Sequence, residues 1–247
     1  MDPGVRGAAV IRRRIGPLDC VIGGGDDDRG GGDGPMVVML HGFGAGGEDL
    51  VDLADAIDAP PGTRWVFPAG PLALGGAYGD GRAWWMIDLA RLERELAAGR
   101  PVDRAVEVPE GLAAARAAML ALLAALTDEL GRRDDRTVLG GFSQGAMLSV
   151  DVALHAPAPL AGLALMSGTL VAEDLWRARA AALAGVTVFQ SHGTRDPLLP
   201  FHGAERLRDL MLAAGASVGF MPFPGGHELP PPVLAGLSEL LARTLTR

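Results

Sequence analysis

Ser143, Asp196 and His227 are the residues of this chain whose types, order and setting could together turn a neutral alcohol into a nucleophile. A serine hydroxyl attacks a carbonyl only when a base takes its proton. A histidine serves as that base when an acid fixes its tautomer and stabilises the imidazolium. Gly141-Phe142-Ser143-Gln144-Gly145 fits G-x-S-x-G, with a strand-like run before it and a helix-like run after it. A serine in that setting sits on a tight turn at the positive end of a helix, and side chains in place of the flanking glycines would meet neighbouring backbone. The plain alternative is a strand-to-helix turn with a capping serine, and a chain with 36 glycines meets such patterns by chance. Ser191-His192-Gly193-Thr194-Arg195-Asp196 and Gly225-Gly226-His227 each follow a later strand-like run, giving the order Ser, Asp, His. Three placements that agree weigh more than one.

The competing residues have other uses. His41 precedes a glycine loop whose backbone it can hold. His155 ends a helix, where a cation is favoured anyway. His192 comes before the acid and is expected to brace the acid's loop, and His202 opens a helix at the surface. Asp151 lies one to two turns into the helix after Ser143, and Asp174 can cap a helix. A tetrahedral intermediate also needs two N–H donors for its negative oxygen. Gln144, directly after the nucleophile, supplies one. The loop of residues 41–47 supplies the other, with Phe43 the leading candidate. Phosphate binding is the other use of such a loop, but GxxxxGK[ST] is excluded because the chain has no lysine.

These residues need strands that end at one rim. Residues 5–14 and 18–22 read as a hairpin, and residues 23–35 as a mobile Gly/Asp turn. Residues 36–40, 65–67, 137–142, 160–166, 186–190 and 217–223 read as strands. Helical spacing runs over 48–57, 89–98, 110–130, 144–155, 172–184, 204–214 and 232–244, with Gly131 closing the longest. Residues 69–109 are otherwise an irregular loop or short lid. The alternation predicts an α/β fold, a mostly parallel sheet covered on both faces, in one domain over 1–247. Ligands then sit at the carboxyl ends of the strands, where all three candidates fall.

Composition narrows the partners. The chain has 22 basic residues, all arginine, against 30 acidic ones, net −8. This argues against nucleic-acid backbones and anionic membranes. Cys20 stands alone, so no internal disulfide or zinc-type cluster is expected. No segment reaches the roughly 18 apolar residues of a membrane span, and residues 1–25 lack a signal peptide's apolar stretch. Arg12-Arg13-Arg14 reads as a solvated strand end rather than an export signal. A cytoplasmic protein is the default, and the arginine, alanine and glycine usage suggests a GC-rich bacterial genome.

Leu40-His41-Gly42-Phe43-Gly44, Phe67-Pro68-Ala69-Gly70-Pro71, Gly81-Arg82-Ala83-Trp84-Trp85, Gly140 through Gly145, His192 through Pro197 and Gly226-His227-Glu228 occur in that order. The chain resembles, over about residues 36–240, the phospholipase/carboxylesterase family, which includes acyl-protein thioesterases and bacterial carboxylesterases. The resemblance implies an α/β-hydrolase acting on small-molecule esters or thioesters without a cofactor. It also carries the family roles to Ser143, Asp196, His227 and the Phe43 and Gln144 amides. Three departures stand out: Ala146 where the family has glycine, the Gly/Asp insertion at 23–34, and a longer, more charged stretch at 88–109.

Leu72, Trp84, Trp85, Leu170 and Leu198, with Leu74, Met86 and Leu199 beside them, are expected in loops at the active face. They suggest an apolar cleft for short- to medium-chain or aryl esters. The alternatives are an acyl thioesterase or lysophospholipase, a serine peptidase of the same fold and a non-catalytic binding module. A homodimer is left open.

Overall fold

The computed structural model describes residues 10–98 and 104–246. In chain order its elements are β1 (Val10–Ile15), β2 (Leu18–Gly24), β3 (Met36–Leu40), α1 (Leu53–Ala56), β4 (Arg64–Pro68), β5 (Leu72–Ala73), β6 (Arg82–Ala83), α2 (Leu89–Ala97), α3 (Leu112–Leu130), β7 (Thr137–Phe142), α4 (Gln144–Ala153), β8 (Gly162–Met166), α5 (Glu173–Arg179), β9 (Thr187–Gly193), α6 (Phe201–Ala213), β10 (Ser217–Phe223) and α7 (Pro231–Leu245). Among the described residues, eight strands form one sheet in the order β1-β2-β4-β3-β7-β8-β9-β10. The first two pairings are antiparallel and the other five parallel.

Alternation along the strands divides the core in two. Met36, Val38 and Leu40 face one layer with Leu139, Leu163 and Leu165. Val37 and Met39 face the other with Val138, Ala164 and Met166. The first layer takes its helix contacts from α3, α4, α5 and α6 (Met119, Val150, Trp176 and Leu207), and the second from α1 and α7 (Leu53, Val233 and Leu237). Strands buried on both faces need near-continuous apolar sequence, and every residue of β3 is buried. Gly131, at φ 61°, ends α3: its N–H bonds the Thr127 carbonyl and the next N–H bonds that of Leu126.

Several elements differ from their sequence pattern. The helix read over 48–57 is regular only in α1. Asp49, Val51, Leu53 and Ala54 instead donate to carbonyls three residues back, the tighter turn of a short segment that follows two glycines. The helix read over 172–184 passes into a 3-10 turn at Ala180–Leu183. β9 runs on through Ser191, His192 and Gly193 because β10 pairs with it to the end. Residues 5–9 of the first expected strand lie outside the described residues. The Gly/Asp segment folds back on itself, with Asp27 Oδ1 accepting the Arg29 and Gly31 N–H groups at 2.8 Å. Arg12, Arg13 and Arg14 pair with Glu48, Glu129 and Asp19 at the surface. No described helix is long and apolar enough to cross a membrane.

Candidate active site

β7 delivers Ser143 and α4 leads away from it. The serine backbone stands at φ 55° and ψ −115°, a conformation that costs a non-glycine residue about 1–3 kcal/mol and persists only where the surroundings impose it. Those surroundings are tight. A Cβ on Gly141 would lie 2.4 Å from the Leu40 carbonyl oxygen, and one on Gly145 would lie 2.1 Å from the same atom. Only glycine lets the elbow close against β3. Ser143 makes no side-chain capping bond to α4, so its hydroxyl is not tied to the helix.

The acid and the imidazole come from the ends of β9 and β10, whose trailing loops are joined. Thr194 N–H donates to the Phe223 carbonyl at 2.8 Å, Arg195 N–H to that of Gly225 at 3.0 Å, and the Arg195 guanidinium to that of Pro224 at 2.7 Å. His227 Nδ1–H donates to Asp196 Oδ2 at 2.6 Å, which leaves Nε2 with its lone pair. Asp196 Oδ1 accepts the Leu198 and Leu199 N–H groups at 2.8 and 2.9 Å. Burial pushes the Asp196 carboxyl upward. The bonds from His227, Leu199 and Leu198 outweigh that and hold it below the ordinary carboxylate range. His227 and Ser143 line one cavity of about 590 Å³, with the His227 ring 4.7 Å from that of Phe142. Among the described residues, no hydrogen bond joins the Ser143 hydroxyl to the His227 ring. Such bonds commonly tighten only when substrate binds.

The loop after β3 lies opposite the elbow. His41 anchors it: Nδ1–H donates to the Gly42 carbonyl at 2.7 Å, and Nε2 accepts the Gly70 N–H at 2.8 Å. Gly44 N–H and the Ala45 carbonyl pair with Arg82. Phe43 lines the cavity and packs edge-on against Tyr78 at 5.7 Å. Neither the Phe43 nor the Gln144 N–H meets an acceptor among the described residues. The Gln144 side chain, which sequence reasoning passed over, is fully buried and clamps the tryptophan pair. Its Oε1 accepts the Trp84 N–H and its Nε2 donates to the Trp85 carbonyl, both at 2.9 Å.

The residues expected around the substrate divide. Trp85 and Leu198 stand on the cavity wall with Phe43, while Leu72, Trp84 and Leu170 do not. Trp84 is 1% exposed and spends its indole N–H on the His41 carbonyl; Leu170 is 1% exposed in the core. Leu72 is 38% exposed on the small β5–β6 hairpin. The cleft also carries more charge than its apolar sequence neighbours suggested, because Asp88, Arg91, Glu95, Arg104, Glu107 and Glu110 line part of its wall. Met147 and Val171 complete the apolar lining. Among the described residues, no cluster of His, Cys, Asp and Glu has the grouping to hold a metal ion.

His192 lies behind the acid, fully buried, donating from Nε2 to the Leu199 carbonyl at 2.8 Å and lying 3.4 Å from Asp196 Oδ2. Burial lowers the pKa of His192 and of His41. An unfolded chain takes up protons on both near pH 6.5 while the folded chain does not, so stability falls as pH drops below about 6.5. Each site contributes at most about 1.4 kcal/mol per pH unit. Urea unfolding at pH 7.5 and pH 5.5 should differ by about 1–3 kcal/mol. Equal stabilities at the two pH values would contradict the two neutral, buried imidazoles.

The sequence profile of the phospholipase/carboxylesterase family matches residues 31–245. Acyl-protein thioesterase 1 of Eremothecium gossypii is 29% identical over 181 residues, 68% of each chain. The crystal structure of esterase PE8 superposes with a TM-score of 0.75 at 27% identity, covering 91% of this chain and 97% of that one. A carboxylesterase from Mesorhizobium loti shares the fold, with a TM-score of 0.73 over 94% of this chain and 98% of its own at 22% identity.

Proposed function

The chain belongs to the phospholipase/carboxylesterase family of α/β-hydrolases, and from that premise we propose that it is a serine carboxylesterase cleaving short- to medium-chain or aryl esters through an acyl-serine intermediate. The observation that carries the reading is the 2.6 Å bond from His227 to Asp196, on a cavity that Ser143 also lines.

His227 Nε2 takes the Ser143 proton as Oγ attacks the ester carbonyl, and Asp196 stabilises the imidazolium. The N–H groups of Phe43 and Gln144 receive the negative oxygen, and the closeness of the β3 loop to the elbow supports their pairing. Collapse of the intermediate expels the alcohol, which takes the proton from His227. Water activated by the same imidazole then releases the acid. Trp85, Ile87, Met147, Val171, Leu198 and Leu199 supply apolar wall for the acyl or aryl group.

A p-nitrophenyl ester series tests the substrate class. kcat/KM should rise from acetate to hexanoate by about 2–4-fold per added CH2, the worth of burying one methylene. A fluorophosphonate should label Ser143. A flat series with an unlabelled serine would reject the reading. The thioesterase relative favours a second reading, acyl-thioester cleavage by the same residues. Matched oxygen and sulfur esters of one acyl group separate the two.

A further inference from the structure

The stretch from residue 88 to 110, which contains the charged region that departs from the family pattern, supplies six charged residues to the cavity wall: Asp88, Arg91, Glu95, Arg104, Glu107 and Glu110. Most of this charge is settled within the wall. Arg91 bridges Glu95 at 2.9 Å and Glu107 at 2.6 Å. Asp88 Oδ1 accepts the Arg91 N–H at 2.8 Å, and Glu110 is open to solvent.

Arg104 is the exception. Its guanidinium has no ion pair and no side-chain hydrogen bond to a described residue, and its Nε is buried without an acceptor. Burial lowers its pKa, with Glu107 acting in the opposite direction, yet arginine stays charged in proteins. A buried donor of a charged group left unmet costs more than a neutral one. Among the described residues, this is the unmet buried polar atom of the cavity lining. Arg104 lines the cavity with its positive charge unpaired among the described residues, so the ligand group that suits it is an anionic acceptor. The two neighbouring glutamates do not fill that role, because Arg91 holds them both.

We propose that Arg104 recognises an anionic oxygen group, carboxylate or phosphate, carried by the substrate away from the scissile carbonyl. The planar fork of the guanidinium suits either group, and both accept two N–H bonds at once. The substrate class is then an ester with an apolar segment against Trp85 and Met147 and a charged end at Arg104. This rests on the reading of the cavity as an ester-hydrolysing site.

The test compares matched substrates on one preparation of each protein, so that the readout is a ratio independent of the folded fraction. One arm uses p-nitrophenyl hydrogen glutarate against p-nitrophenyl pentanoate, placing a carboxylate on the acyl side. The other uses a 1-acylglycerol 3-phosphate against the 1-acylglycerol, placing a phosphate on the alcohol side. In Arg104→Met the anionic-to-neutral ratio of kcat/KM should fall about 10- to 100-fold in the arm that matches the natural geometry. Arg104→Lys should recover part of it, because charge returns without the fork. Unchanged ratios in both arms would overturn the proposal while leaving the esterase reading intact. Failure of the unaltered enzyme to cleave any of the four esters would instead count against the esterase reading itself.

Discussion

Ser143→Ala should lower kcat on p-nitrophenyl butyrate by about 10⁴-fold or more, with the folded state nearly as stable as before. The size follows from the chemistry: without the hydroxyl there is no acyl-enzyme, and what remains is binding plus the oxyanion donors acting on direct attack by water. The small structural cost follows from the geometry. Ser143 makes no capping bond to α4, so alanine forfeits no hydrogen bond there. The φ of 55° is imposed by Gly141 and Gly145 closing on the Leu40 carbonyl, and those contacts remain. The same variant should lose fluorophosphonate labelling. Turnover within tenfold of the unaltered enzyme, on a preparation free of it, would remove Ser143 from the mechanism.

What could be read from the sequence was what is encoded locally. The elbow announced itself because two glycines, a strand and a helix all fall within a few residues of Ser143. The placement of Asp196 and His227 followed from their positions after late strands. The geometry has a nonlocal component that no such reading contains: the hydrogen bonds that join residues 194–195 to 223–225. The Gln144 side chain illustrates the limit, since its two partners lie 60 and 59 residues away. Its identity at an elbow position suggested only a backbone role. Trp84 and Trp85 are adjacent and chemically alike, yet the first seals the β3 loop and the second lines the cavity. Nothing in their order distinguishes them. The charged stretch read only as part of an irregular loop or short lid, with nothing to show which of its charges pair with one another. Only the fold reveals that Arg91, Glu95 and Glu107 pair on the cavity wall and leave the Arg104 Nε without an acceptor among the described residues.

Asp196→Asn should reduce kcat at neutral pH by about 10³–10⁴-fold with little loss of stability, and the reason lies in which oxygen does what. Oδ1 holds the turn through the Leu198 and Leu199 N–H groups, while Oδ2 receives the His227 Nδ1–H. An asparagine keeps its carbonyl oxygen on the two amides, which forces its NH₂ toward His227. A donor there requires Nδ1 to accept, so the ring proton moves to Nε2 and the lone pair that takes the serine proton is gone. Asp196→Ala removes the turn bonds as well, and should add about 1–3 kcal/mol of destabilisation to the same catalytic defect. Acid sensitivity separates this carboxylate from the buried imidazoles. Its pKa is held below the ordinary value, so its contribution to stability is present above about pH 3.9 and is lost only below it, whereas the losses from His41 and His192 begin near pH 6.5. The asparagine variant should therefore keep the decline of stability between pH 7.5 and 5.5. Activity within tenfold of the parent enzyme would show that Asp196 does not set the tautomer.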